Sequence, residues 1–91
     1  MKLLKKVKKI HFVGIGGAGM IGIARVLIKK GYKISGSDVV DSNDLKKLRE
    51  DGAKVYIGHN KDNIKDANLL VFSSAINQNN PELVQAKKKS I

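Results

Sequence analysis

Residues 13–20 read V-G-I-G-G-A-G-M, directly after the largely apolar run 10–13. Gly14, Gly16 and Gly19 therefore stand at G-x-G-x-x-G spacing between a strand-like and a helix-like segment. That context builds an anion site from main chain alone. The first glycine permits a tight turn. The second lets a phosphate reach the backbone without meeting a Cβ, and the third allows the helix to pack closely on the strand. The helix that follows points unpaired N–H groups and the positive end of its dipole at the same place. A diphosphate is the natural occupant; the competing reading is a tight turn with a purely structural role.

Ligands of open parallel sheets bind beyond the carboxyl ends of the strands. Three more segments reach that edge with small or polar residues: S-G-S-D at 35–38, G-H at 58–59 and S-S-A-I at 73–76. Asp38 follows the last motif glycine by about 20 residues, the distance at which an acid accepts hydrogen bonds from a ribose diol. The plainer reading is an Asp that opens the loop before the next helix. Ser35 and Ser37 either donate to a ligand or cap loop backbone. His59 can stack on or bond to a base or ribose, or be a satisfied surface residue. His11 reads as a packed sheet residue. Ser73 and Ser74 lack a G-x-S-x-G elbow and are no nucleophiles; with Ala75 they are better suited to contacting a ligand.

The elements that hold these residues follow from periodicity. Strands are expected over residues 8–14, 33–37, 54–57 and 67–72. A helix is expected over 18–30, with Met20, Ile23, Ala24, Leu27 and Ile28 as its apolar stripe, Gly22 allowing close approach to the sheet, and Gly31 as its stop. A second runs over 42–51, with Ser42 as cap and Leu45 and Leu48 inward. Residues 60–65 read as a loop or short helix. Asn80 caps a last helix, with Pro81 at its first position and Glu82 in its first turn. This β-α-β-α-β-x-β-α order predicts an α/β, Rossmann-like three-layer domain with a parallel sheet of order 3-2-1-4, extended by a fifth strand where the chain ends.

Ninety-one residues make one small domain, 1–91. There is no cysteine, so disulfides and thiolate metal sites are excluded. No apolar run is long enough to span a bilayer, and the lysine-rich start reads as a polar lead-in to the first strand rather than a signal peptide. The net charge of +10 comes almost wholly from lysines at element ends. With two arginines and little aromatic interleaving, solvated faces are the preferred reading, ahead of steering of an anionic small molecule; neither a nucleic-acid nor a membrane partner is expected. There is no G-x-x-x-x-G-K-[ST] loop and no convincing pair of catalytic carboxylates. No catalytic residue and no metal site are assigned.

The strings I-H-F-V-G-I-G-G-A-G-M, G-I-A at 22–24, G-Y-K-I-S-G-S-D, G-H, V-F-S-S-A-I and N-P-E at 80–82 resemble the amino-terminal domain of the Mur ligases. The likeness covers nearly all of residues 8–91. It implies a domain that holds the UDP end of UDP-N-acetylmuramate, within a cytoplasmic peptidoglycan ligase whose downstream central and carboxy-terminal domains supply the ATP and Mg2+ site. The family reaction makes an acyl phosphate of the muramic carboxylate, which an amine then attacks. Within the family the likeness is strongest to the branch that adds L-alanine; a sister branch, which attaches a recycled murein tripeptide, shares most of the motifs. By this resemblance Gly16, Gly17, Ala18 and Gly19 would face the diphosphate, with Gly14 and Met20 framing that turn. Ser37, Asp38 and His59 would face the uridine, and Ser73, Ser74 and Ala75 the opposite wall. The chain departs from the family at Ile21, where Ser is frequent. The runner-up is an NAD(P)-binding Rossmann domain of a dehydrogenase or nucleotide sensor. Asp38 fits it equally, whereas Gly17, Met20 and S-S-A-I favour the ligase.

Overall fold

The computed structural model describes residues 7–91; residues 1–6, and most of the lysine-rich lead-in with them, lie outside the described part. The elements run β1 (Lys9–Val13), α1 (Met20–Lys29), β2 (Lys33–Asp38), α2 (Asn43–Glu50), β3 (Lys54–Ile57), a single 3₁₀ turn (Lys61–Ile64), β4 (Leu69–Phe72) and α3 (Pro81–Lys88). All strand pairs are parallel, in the order β3-β2-β1-β4 that the alternation predicts. Residues 60–65 resolve to the short helix, and 67–68 fall outside β4.

Strand alternation sorts β1 and β2 into two faces. Ile10 and Phe12, with Ile34 beside them, meet Ala24 of α1 and Leu45 and Leu48 of α2 in the apolar core. The other face carries His11, Val13, Ser35 and Ser37, paired across the strands as His11 with Ser35 and Val13 with Ser37. It is covered by α3, which buries Glu82, Leu83 and Ala86, and by Ile64 of the 3₁₀ turn. One layer interface is thus apolar and the other mixed.

The caps are where the sequence puts them. Ser42 Oγ accepts the Leu45 amide at 3.2 Å, and Asn80 Oδ1 accepts the Glu82 amide at 2.9 Å, with Pro81 at the first helical position. Four of the five residues expected in the α1 stripe, Met20, Ala24, Leu27 and Ile28, face the core, and Ile23 does not. Ile23 is 48% exposed and Val26 52%, while Met20, Ile21, Leu27 and Ile28 pack on the core. Ile21, the departure from the family, is therefore a packing residue. Gly22 is also corrected: a Cβ there would meet nothing within 4 Å, so it gives no close approach to the sheet. Among the described lysines every one but Lys9 is exposed.

Candidate functional site

The glycine turn hangs from the end of β2. The Ser37 carbonyl accepts two amides, from Gly14 at 2.8 Å and Ile15 at 3.0 Å. Gly17 donates to Gly14 O, and Met20 donates to Gly17 O, both at 3.0 Å. Gly14 and Gly19 have φ of 81° and 82°, a left-handed backbone that glycine adopts without strain. Gly19 is the N-cap of α1 and brings no side chain to cap it. The amides of Ala18, Gly19, Ile21 and Gly22 consequently have no partner among the described residues. Residues 16–19 are all exposed. The turn is open, and its free donors sit at the positive end of α1.

The individual glycines serve reasons that spacing alone does not distinguish. A Cβ on Gly16 would stand 2.9 Å from Asp38 Oδ2, so this glycine makes room for the chain's own carboxylate. A Cβ on Gly17 would crowd Gly14 O at 3.2 Å. The third motif glycine is not needed for close packing: a Cβ on Gly19 would meet nothing within 4 Å, and its φ is the reason for glycine. The close approach occurs instead at Gly36 in β2, where a Cβ would fall 2.6 Å from Ile15 Cβ.

Asp38, at the end of β2, ties the turn to the next loop. Its Oδ2 accepts the Gly16 amide at 2.8 Å and its Oδ1 the Val39 amide at 2.7 Å. Ser73, Ser74 and Ala75 form a turn after β4, with Ala75 N donating to Ser73 Oγ at 3.3 Å. Ile76 closes that turn and lies against Gly14, its Cδ1 3.0 Å from where a Cβ would be, so the β1 and β4 loops adjoin. Ser37 is fully buried, its hydroxyl engaged inside the protein, and His59 lies at the rim with its side chain 17% exposed.

What binds Ser37 and His59 is Glu82, which the sequence presents only as a first-turn acid. Its carboxylate is fully buried. Oε1 accepts from His11 Nε2 at 2.6 Å and from Ser37 Oγ at 2.8 Å. Oε2 accepts from the Asn60 amide at 3.1 Å and from Asn63 Nδ2 at 3.0 Å, with His59 Nδ1 3.4 Å away. Burial by itself would raise its pKa; the hydrogen bonds from His11, Asn63 and Ser37 outweigh that and hold the carboxyl at about 2. The signal for this cluster was present in β1 and β2. A histidine inside an apolar strand, with serines at alternate positions beside it, makes one polar face that needs an acceptor from the layer above.

His59 also lines a hollow of about 490 Å³ between the 3₁₀ turn and α3. A larger hollow, about 540 Å³ and edged by Lys9, Lys33, Lys54 and Lys65, lies at the opposite, amino ends of the strands, away from the glycine turn. Among the described residues no group of three His, Cys, Asp or Glu could hold a metal.

A covered parallel sheet with an exposed glycine turn at the end of its central strand defines a Rossmann-like α/β domain. The chain belongs to the Mur ligase family, matching the description "Mur ligase family, catalytic domain" over residues 9–91. It is 49% identical over 89 residues to a UDP-N-acetylmuramate–L-alanine ligase of Aquifex aeolicus, covering 98% of this chain and 20% of that protein. It is 57% identical over 84 residues to the ligase of that name from Clostridium botulinum (strain Eklund 17B / Type B), covering 92% and 18%. Among solved structures, the UDP-N-acetylmuramate-alanine ligase of Thermotoga maritima superposes with a TM-score of 0.86 at 35% identity, over 91% of this chain and 19% of that one. The UDP-N-acetylmuramate:L-alanyl-gamma-D-glutamyl-meso-diaminopimelate ligase of Neisseria meningitides shares the fold, with a TM-score of 0.83 at 24% identity over 93% and 27%. The chain spans about a fifth of the length of the curated relatives it matches.

Proposed function

We propose that residues 1–91 are the UDP-sugar-binding domain of an ATP-dependent ligase that joins L-alanine to UDP-N-acetylmuramate in peptidoglycan precursor synthesis. The observation that carries the reading is the exposed glycine turn, with the amides of Ala18, Gly19, Ile21 and Gly22 unpartnered at the start of α1. These donors suit a diphosphate. The identity of the nucleotide is supported by the printed names of relatives about half identical to this chain. The alanine branch is favoured over the tripeptide branch because the solved tripeptide ligases are only 20–24% identical.

In this reading the turn from Gly14 to Met20 cradles the diphosphate by backbone. Asp38 and His59 face the uridine, with Ser37 holding His59 from beneath. Ser73, Ser74 and Ala75 line the far wall. ATP with Mg2+ would supply the activating phosphoryl group. This stretch does not fit that site, having neither a G-x-x-x-x-G-K-[ST] loop nor, among the described residues, a metal-binding cluster. It belongs to downstream domains of the same protein. The whole ligase works in the cytoplasm, where ATP and UDP-sugars are supplied.

The test is titration of this chain with UDP-N-acetylmuramate and, separately, with NADH, followed by amide NMR and calorimetry. Weak binding of the UDP-sugar, with shifts centred on residues 16–19, is expected. Gly16→Val should abolish it in a folded protein, because the new side chain displaces Asp38 and fills the rim of the turn. Tighter binding of NADH, with shifts centred on Asp38, would overturn the proposal.

A further inference from the structure

The Glu82 cluster has a proton arrangement that hydrogen-bond counting determines. A carboxylate only accepts, so the single hydroxyl proton of Ser37 points at Glu82 Oε1, 2.8 Å away. Ser37 Oγ then has only lone pairs to offer His59 Nδ1, which stands 2.8 Å off on its other side. His59 Nδ1 must carry the hydrogen. In the neutral ring its Nε2 is left as a bare acceptor. His11 is set the opposite way. Its Nε2 donates to Oε1 at 2.6 Å, so in the neutral ring Nδ1 accepts the Ser35 hydroxyl at 2.7 Å. One buried carboxylate thus writes opposite tautomers into two histidines. For His59 it is the form that free imidazole side chains in water disfavour, so the surroundings must impose it.

His59 Nε2 has no hydrogen-bond partner among the described residues, and the side chain is part-exposed at the end of β3. We infer that Glu82 is a positioning residue that acts through Ser37 on His59, fixing the ring so that a bare Nε2 acceptor is offered to the ligand. The matching ligand group is a hydrogen-bond donor on a nucleoside, either the imide N–H of a pyrimidine or a ribose hydroxyl. This rests on the nucleotide reading above and adds a specificity element to it. A base that presents only acceptors at that point would leave the lone pair facing another lone pair.

The experiment is long-range 15N–1H NMR of the 15N-histidine-labelled chain over a pH series, read on the neutral rings. The expected result is His59 protonated at Nδ1 and bare at Nε2, with His11 the reverse. Protonation of neutral His59 at Nε2 would overturn the inference. Glu82→Ala, or Glu82→Leu if that variant fails to fold, removes both oxygens that face Ser37 Oγ and His59 Nδ1 and should move His59 toward the Nε2–H form. A Glu82 with a merely structural role would leave the tautomer unchanged in a folded variant.

Titration with UDP then separates the two readings. Shifts at residues 16–19 together with a shift of His59 Nε2 support both. Shifts of the turn alone, with His59 Nε2 silent, remove the inference and leave the nucleotide site. Silence at both removes the nucleotide reading, and the ligand part of the inference falls with it. N3-methyl-UDP and 2′,3′-dideoxy-UDP identify the donor. Loss of about tenfold in affinity with one of them supports the inference and names the group, and full affinity with both overturns it.

Discussion

The glycine turn and the Glu82 cluster meet at one residue and are built on opposite principles. The Ser37 carbonyl holds the turn, and the Ser37 hydroxyl belongs to the cluster. The turn is exposed main chain with donors left over, while the cluster is buried side chain with every carboxylate oxygen engaged. Open donors can take a ligand because water satisfies them until it arrives. A buried carboxylate has no such substitute, and its partners must be supplied by the fold. One region is poised for binding; the other sets the shape that binding meets.

The largest effect that would test this contrast is removal of the acceptor. Glu82→Ala strips the acceptor from the fully buried His11 Nε2, takes one bond each from Ser37, Asn60 and Asn63, and leaves a void beneath α3. It should cost of order 3–5 kcal/mol in urea or thermal unfolding, a large share of what a domain this size possesses. A loss below about 1 kcal/mol would show that the cluster is no structural centre.

Acid should act on the same group. Glu82 is held at about 2, below its ordinary 4.5, so the stability from this shift is complete above pH 4.5 and drains away as the pH falls toward about 2. The expected loss across that window is about 3 kcal/mol, and it should flatten in Glu82→Gln. An acid transition unchanged by that substitution would assign the loss to other carboxyls.

Two glycines refine the comparison further. Gly36→Ala forces a Cβ against Ile15 Cβ in the core face and should cost about 1–3 kcal/mol. Gly19→Ala meets open space and pays only left-handed strain, about 1–2 kcal/mol, with loss of nucleotide binding as its second readout. Smallest of all, Ser42→Ala removes the α2 cap, a bond that belongs to neither region. It should cost about 1 kcal/mol and leave UDP-induced shifts at residues 16–19 unaltered.

The two regions also differ in how legible they are. Gly14, Gly16 and Gly19 announce themselves by spacing, and the strands and helices around them follow from periodicity, to within a residue or two at most ends. Asp38 is placed at the strand end by its distance from the motif; that it holds Gly16 is not in the spacing. The α1 stripe misleads at Ile23, because a helix so apolar offers more than one stripe and the sheet accepts only one. Glu82 is hidden for a different reason. Its hydrogen-bond partners lie 71, 45, 22 and 19 residues away in sequence, at His11, Ser37, Asn60 and Asn63. As a lone acid after Asn-Pro it looks like a helix-dipole partner and nothing more.

By itself the sequence determined the order of elements, the parallel sheet and the glycine turn, because each rests on residues adjacent in the chain and on backbone preferences that act locally. The tertiary structure alone decided which glycine faces Asp38, that Ile21 rather than Ile23 packs inward from α1, and which buried groups Glu82 would gather. Those outcomes depend on the packing of layers and on the rule that a buried charge must collect its partners from wherever the fold brings them.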